Sequence, residues 1–185
     1  MLVTISGRPG AGTSTVARAL AGALGLERLD GGAVFRALAA ERGLSLAAFS
    51  ALAEGDDSID VALDTRLAAR ARRGDVVLES RLAGWIARNE GLAALKVWIA
   101  CADVERDRRV GRRDGLDPTA AGAANRARED SERSRYHRIY GIDLDDLSIY
   151  DVCLDSSTHP ADVLVERVLA VAAETSRSAG PRPTG

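Results

Sequence analysis

The stretch "SGRPGAGTSTV", residues 6–16, connects a short apolar run to a helical pattern. The spacing from Gly7 to Gly12 is that of a phosphate-binding loop, whose motif is G-x-x-x-x-G-K-[ST], and Ser14 supplies the final hydroxyl. Thr13 stands where the motif has lysine. Backbone N–H groups of a glycine loop and of the following helix bind an anion without any side chain. The loss of lysine therefore weakens the match to the motif but leaves an anion site.

Two other interpretations of this loop are open from its residues alone. Gly7, Gly10 and Gly12, followed by Asp30, are also typical of a dinucleotide site in which an acidic residue binds the ribose of NAD. A short-chain reductase needs a Tyr-x-x-x-Lys pair, however, and Lys96, the only lysine, has no such tyrosine before it. The third interpretation is a tight turn that binds nothing, although three glycines and a proline exceed what a simple connection needs.

Composition limits the class of protein. The chain has 185 residues, of which 46% are hydrophobic and 28% charged, and its formal net charge is -2. This balance predicts one compact domain and gives no bulk positive field for nucleic acid. No apolar run reaches membrane-spanning length, and too few residues precede the glycine loop for a signal peptide. We therefore expect a cytoplasmic monomer with neither nucleic acid nor membrane as partner, and we expect Cys101 and Cys153 to be buried thiols.

The hydrophobic pattern predicts an α/β fold. Apolar runs predict five strands, at 2–6, 26–30, 75–80, 95–101 and 150–157. Helical spacing predicts helices between and after them, at 13–25, 33–43, 46–55, 58–74, 82–89, 103–115, 117–138 and 160–175. Alternating strands and helices are typical of a three-layer α/β/α fold with a five-stranded parallel sheet. We expect residues 103–138 to cover the sheet without joining the core, and 176–185 to be a disordered tail.

Arginines are placed where they could replace the missing loop lysine. Arg36 and Arg81 follow the second and third predicted strands, at the edge where ligands of α/β sheets bind. Arg109 and Arg113 lie four residues apart on one helix face. A further face carries Arg128, Glu132 and Arg135. For Arg106, Arg108 and Arg112, a solvated surface position is at least as good an interpretation.

Four segments in order resemble cytidylate kinases, and the likeness as a whole spans about residues 2–157. "LDGGAVFRAL" (29–38) is similar to the monophosphate-binding segment of that family, and "REDSERSR" (128–135) to its lid signature. "VVLESRLAGW" (76–85) and "RYHRIYGIDLDDLSIYD" (135–151) resemble the archaeal-type branch. Separated motifs in the right order are far more specific than one loop.

The resemblance implies a P-loop nucleoside monophosphate kinase that phosphorylates CMP or dCMP with ATP and Mg²⁺. It implies one kinase domain over 1–175, with a helical monophosphate-binding segment around 31–73 and an arginine-rich lid around 106–135. The ATP-binding residues would be Gly7, Arg8, Pro9, Gly10, Ala11, Gly12, Thr13, Ser14 and Thr15.

The resemblance also implies roles for other residues. Arg36, Arg81 and Arg128 would hold phosphates, and Arg109 and Arg113 would close on them from the lid. The sugar or base of CMP would lie near Asp30, Gly32, Glu132 and Arg135. Ser14 would help hold Mg²⁺, and Glu79 would orient a metal-bound water.

This sequence departs from the family pattern at three positions. Thr13 replaces lysine, Gly31 replaces a hydroxyl residue, and Ser80 replaces a glycine that precedes Arg81. These departures leave two alternatives open: a catalytically impaired regulatory relative that still binds nucleotides, or a P-loop kinase for another small acceptor.

Overall fold

The computed structural model describes residues 1–178, apart from the side chains of residues 46, 47, 176 and 178. Within this part of the chain, five strands form one sheet: β1 Leu2–Gly7, β2 Glu27–Asp30, β3 Val76–Glu79, β4 Leu95–Ala100 and β5 Val152–Asp155. All neighbouring strands are parallel, in the order β2-β3-β1-β4-β5. The predicted α/β fold with a five-stranded parallel sheet is confirmed.

The described residues also contain eight helices: α1 Thr13–Leu24, α2 Gly31–Glu41, α3 Leu46–Gly55, α4 Asp57–Ala71, α5 Ala83–Asn89, α6 Asp103–Asp114, α7 Pro118–Tyr140 and α8 Ala161–Ser178. Side chains that accept hydrogen bonds from the first turn begin four of these helices, α2, α3, α4 and α7. Asp30 accepts from Ala33 N at the start of α2, and Asp117 caps α7, which has Pro118 in its first turn. The tail predicted over 176–185 begins inside α8, which continues to Ser178, and its remainder lies outside the described residues. No helix within 1–178 combines the length and apolar content needed to cross a bilayer.

The central strand β1 is buried along its whole length because helices cover both faces of the sheet. On one face, Leu20 of α1 and Leu164 of α8 pack against the sheet and are fully buried. The opposite face is covered by a second cluster that includes Leu67 of α4 and Tyr136 of α7. The expectation that residues 103–138 stay outside the core is therefore wrong for the end of α7, where the Tyr136 ring joins this cluster.

The edge strand β5 explains a second correction. Cys153 on β5 is exposed and Cys101 is half-buried, so the expectation of two buried thiols is wrong. Along β5 at the end of the sheet, Cys153 and Asp155 share one face and are exposed, whereas Leu154 on the other face is buried. The same edge is joined to β4 by Lys96, whose Nζ lies 3.0 and 3.2 Å from the two carboxylate oxygens of Asp151.

Candidate active site

The glycines of the loop between β1 and α1 are required by its backbone path. Gly10 and Gly12 have φ of 80° and 86°, a region that favours glycine. A Cβ at Gly7 would lie 2.6 Å from the carbonyl oxygen of Ile99 and 2.8 Å from Cγ2 of Thr13. The turn is closed by the N–H of Ala11, which donates to the carbonyl of Arg8. The loop thus leads directly into the start of α1, where unpaired backbone N–H groups favour an anion.

A single buried carboxylate, that of Glu79 at the end of β3, joins the loop to the sheet. Its Oε1 accepts hydrogen bonds from Oγ1 of Thr13 at 2.9 Å and from Oγ of Ser14 at 2.5 Å. Its Oε2 accepts from Nε and Nη2 of Arg28 on β2, at 3.0 and 2.6 Å. Arg28 was missed from the sequence, although Arg28 and Asp30 alternate with Leu29 along β2 and so share one face of the strand.

Arg109 of α6 lies beside the loop, as its predicted role requires. A Cβ at Gly12 would be 3.5 Å from Nη1 of Arg109. The guanidinium donates to both oxygens of Ser156, at 3.0 Å to Oγ and 2.8 Å to the carbonyl. The hydroxyl of Ser156 in turn donates to the carbonyl of Ala11 at 2.8 Å. Ser156, which sequence reasoning missed, therefore connects the arginine of α6 to the loop.

Arg106 is buried, so the interpretation of this residue as a solvated surface charge is wrong. Only 3% of this residue is exposed, and its Nη1 donates to the carbonyl of Pro9 at 3.0 Å and to Glu129 of α7. It is buried because α6 packs on the loop, where a Cβ at Gly10 would lie 2.8 Å from the carbonyl oxygen of Arg106. Its spacing of three residues from Arg109 was the available signal, since residues three apart share a helix face.

Arg81 and Glu132 connect the loop to α7. Nη1 of Arg81 donates to the carbonyl of Gly7, and its Nε donates to Oε2 of Glu132 at 2.6 Å. The other oxygen of Glu132 accepts from Nε of Arg128 at 2.8 Å. Burial alone would raise the pKa of Glu132, but the charges of Arg81 and Arg128 hold it below its ordinary value. The predicted residues 81, 128 and 132 are thus brought together.

The remaining predicted residues lie around this centre. Arg36 is exposed, with Nη2 3.8 Å from Asp30, and a Cβ at Gly32 would be 3.3 Å from Nη1 of Arg36. Arg8 donates to Asp145 at 2.8 Å. The loop residue Thr15 closes the first turn of α1 by donating its N–H to the carbonyl of Gly12.

Two lid arginines have partners away from the loop. Arg113 donates to the adjacent Asp114 and is largely exposed, so the structure does not bring it to the loop. Arg135 donates to the carboxylate of Asp60 on α4 at 2.8 Å, joining α7 to the predicted monophosphate-binding segment. Burial outweighs this ion pair at Asp60 and raises its pKa. Sequence reasoning did not identify Asp60 as the partner of Arg135.

Two of the three departures from the family pattern compensate for each other. A Cβ at Gly31 would lie 2.7 Å from Cβ of Ser80 and 3.2 Å from the carbonyl oxygen of Glu79. Ser80 therefore fills the space that a side chain at position 31 would need. Its own buried hydroxyl has no hydrogen-bond partner among the described residues.

This contact predicts coupling between the two positions. G31S is expected to lower the free energy of unfolding by about 1–3 kcal/mol because it overpacks a filled site. Adding S80G should remove most of that loss, whereas S80A, which keeps the Cβ, should not. Urea unfolding of the single and double variants measures the difference. Equal effects of S80G and S80A on the G31S protein would contradict a steric origin.

A cavity of about 230 Å³ lies between α4, α5 and the end of α7. Trp85 and Ile142 contribute apolar walls, and Asp64 and Tyr140 contribute polar groups. The hydroxyl of Tyr140 donates to Oδ2 of Asp64 at 2.7 Å. Burial raises the pKa of Asp64 to about 7, while the hydrogen bond from Tyr140 acts in the opposite direction. Sequence reasoning did not identify this polar pair.

The raised pKa of Asp64 predicts a pH-dependent stability. At a pH between the pKa of Asp64 in the unfolded chain and its pKa of about 7 in the folded protein, the folded protein holds a proton on Asp64 that the unfolded chain has lost. Raising the pH through this range therefore lowers the free energy of unfolding. Relative to D64N, the wild type is expected to lose about 1 kcal/mol of unfolding free energy per pH unit there. Urea unfolding across pH measures this slope. Y140F removes the hydrogen bond to Asp64, so it should raise the pKa of Asp64 further and extend the pH range of this loss upward. If the difference in unfolding free energy between wild type and D64N did not change with pH, Asp64 would not be the titrating group.

Known proteins are similar to this chain over nearly its whole length. The chain matches the family model of the cytidylate kinase-like family over residues 2–158. It is 47% identical to a cytidylate kinase of Halobacterium salinarum, over 99% of this chain and 96% of that protein. It is 41% identical to a cytidylate kinase of Archaeoglobus fulgidus, over 91% of this chain and 93% of that protein.

Solved structures share the fold at low sequence identity. A shikimate kinase of Acinetobacter baumannii superposes with a TM-score of 0.63 at 18% identity, covering 94% of this chain and 93% of that one. A gluconokinase of Sinorhizobium meliloti gives a TM-score of 0.63 at 16% identity, covering 95% and 93%. These likenesses concern the fold, whereas the family match and the archaeal relatives cover nearly the whole chain. The protein therefore belongs to the cytidylate kinase-like family.

Proposed function

We propose that this protein transfers the γ-phosphoryl group of ATP to CMP or dCMP, as a cytoplasmic monomer. The observation that carries the proposal is the position of Arg81, which contacts the loop carbonyl of Gly7 and the carboxylate of Glu132 on α7. One guanidinium thereby lies between the site assigned to the donor and the site assigned to the acceptor. An inactive nucleotide-binding relative is not favoured, since the relatives that match over most of the chain are cytidylate kinases.

The donor site consists of the loop and the start of α1. We assign ATP to Gly7, Arg8, Pro9, Gly10, Ala11, Gly12, Thr13, Ser14 and Thr15. Backbone N–H groups supply most of the hydrogen bonds, and Arg109 beside Gly12 supplies a positive charge. Oγ of Ser14 and Oε1 of Glu79 are 2.5 Å apart, and oxygen donors of this kind fit Mg²⁺. Ser14 would hold the ion directly and Glu79 through water; when bound, Mg²⁺ neutralises charge on the β- and γ-phosphates.

The acceptor site lies toward α2 and α7. Arg36, Arg81 and Arg128 are assigned to the phosphate of CMP, while Asp30, Gly32, Glu132 and Arg135 are assigned to its sugar and base. Arg36 and Arg128 are more than half exposed, at 58% and 60%, so both can reach a ligand from the rim of the site. The acceptor segment is assigned to 31–73 and the lid to 106–135. Arg113, which faces solvent, would reach phosphate only after the lid closes.

The reaction needs positioning and charge neutralisation more than acid–base chemistry. A phosphate oxygen of CMP is already an anionic nucleophile, so no side chain has to remove a proton from it. The arginines align this oxygen with the γ-phosphorus and offset the charge that spreads over the phosphoryl oxygens. Closure of α6 and α7 over the loop would exclude water and so limit hydrolysis of ATP.

A coupled assay of ADP release with each nucleoside monophosphate tests the proposal. CMP and dCMP are expected to stimulate ADP release more than AMP or GMP does. Calorimetric titration with ATP shows in parallel whether the donor site is intact. Tight ATP binding without CMP-stimulated turnover would contradict the proposed function.

Two arginines of α7 provide a matched comparison. R128M is expected to lower kcat/KM for CMP by about tenfold to a hundredfold, because it removes a charged contact aimed at phosphate. R133M changes an arginine of the same helix that pairs with Asp130 and Asp145, and it should stay within about twofold of wild type. Steady-state kinetics with varied CMP measures both, and similar losses in the two variants would exclude a specific role for Arg128.

A further inference from the structure

We propose that Arg28 is a positioning residue that supplies, through Glu79, the positive charge that lysine supplies in phosphate loops with the complete motif. The proposal rests on the assignment of ATP to the loop and names a residue that lies outside the four motifs that carry the family resemblance. It explains how the loop accommodates Thr13 in place of lysine.

The contacts of Glu79 divide between the loop and Arg28. Oε1 faces the loop and accepts from Thr13 and Ser14, whereas Oε2 accepts two hydrogen bonds from Arg28. Nη2 of Arg28 also donates to Oδ2 of Asp30 at 2.9 Å, and Asp30 in turn lies 3.8 Å from Nη2 of Arg36. The side chain of Glu79 is 8% exposed and that of Arg28 is 20% exposed. Four donors therefore fix the carboxylate in one orientation, with one oxygen directed at the residue in the lysine position.

The ion pair between Arg28 and Glu79 affects ATP binding through its charge. A buried carboxylate beside the triphosphate site would repel ATP unless a cation offset it, and low surrounding polarity strengthens the repulsion. A loop lysine at position 13 would lie next to Glu79 and provide that cation. Here Thr13 provides a neutral donor, and the offsetting charge comes from β2 on the far side of the carboxylate.

The other arginines near the loop contact different atoms. Arg81 donates to the carbonyl of Gly7, and Arg106 donates to the carbonyl of Pro9. Each also pairs with a carboxylate of its own, Glu132 for Arg81 and Glu129 for Arg106. Arg28 pairs with Asp30 and also with Glu79, the carboxylate that binds the side chain at position 13.

A double-mutant cycle of T13K and R28M tests the proposal. The readouts are the Kd of ATP by calorimetry in EDTA, without Mg²⁺, and kcat with CMP. R28M should weaken ATP binding about tenfold, because it leaves Glu79 without its offsetting charge. The gain from T13K should be at least about threefold larger in the R28M protein than in wild type, because Arg28 already offsets Glu79 in the wild type. T13K/R28M should recover to within about threefold of wild type. Independent, multiplicative effects of the two substitutions would overturn the proposal, as would unchanged ATP binding in R28M.

A second pair of variants separates charge from hydrogen bonding and replaces R28M if that protein does not fold. R28K keeps the charge but not the fork of donors, and R28Q keeps a donor without the charge. R28K should therefore bind ATP more tightly than R28Q, and R28Q should lose about tenfold relative to wild type. Wild-type affinity in R28Q would overturn the charge argument. R66M, which removes a surface arginine paired with Glu41, is the control for loss of an arginine and should bind ATP as wild type does.

The two proposals fail in distinguishable ways. If the wild-type protein binds ATP but CMP does not stimulate ADP release, the proposed function is wrong while the calorimetric cycle still tests Arg28. If CMP kinase activity is present but the cycle shows no coupling between positions 13 and 28, the role of Arg28 is wrong and the function stands.

Discussion

The arginines around the glycine loop are paired with carboxylates of the protein, and these ion pairs determine which elements lie beside the loop. A buried ion pair is strongly destabilised when one member is removed, because the other charge is left without a partner. Glu79 pairs with Arg28, Glu132 with Arg81 and Arg128, and Glu129 with Arg106. These carboxylates come from β3 and α7, so the same pairs that neutralise the arginines also hold α7 and the end of β3 beside the loop.

The same pairs explain how binding and conformation are connected. A phosphate that binds Arg81 or Arg128 competes with Glu132 for those guanidinium groups, since both anions use the same donors. In the proposed function, ligand binding would exchange one anionic partner of these arginines for another and so change the contact between Arg81 and α7. A ligand shifts a conformational equilibrium only by its differential affinity for the two states. Such a difference in affinity would arise between the state in which Glu132 occupies Arg81 and Arg128 and a state in which these arginines are free to bind phosphate.

The sequence was sufficient for the sheet and for the residues at strand ends. Because the carboxyl ends of parallel strands meet at the same side of a sheet, Arg81 could be placed near the loop from its position after the third strand. Glu79 was assigned from the family resemblance. Arg28 and Arg106 could not be placed there, since both are brought to the loop by packing between elements distant in sequence. The roles near CMP came from the family resemblance. Exposure of Cys153 depended on β5 being an edge strand, which the strand order along the chain did not determine.

The position of Lys96 has a practical consequence for chemical labelling of this protein. Lys96 is the only lysine in the chain and lies near the start of β4, whereas the phosphate loop follows the end of β1. Since β1 and β4 are parallel, Lys96 lies near the amino ends of the strands and the loop lies at their carboxyl ends, on opposite sides of the sheet. The glycine loop contains no amine side chain that an acylating reagent could modify. A fluorophore or solid support attached through Lys96 would leave the nucleotide site open.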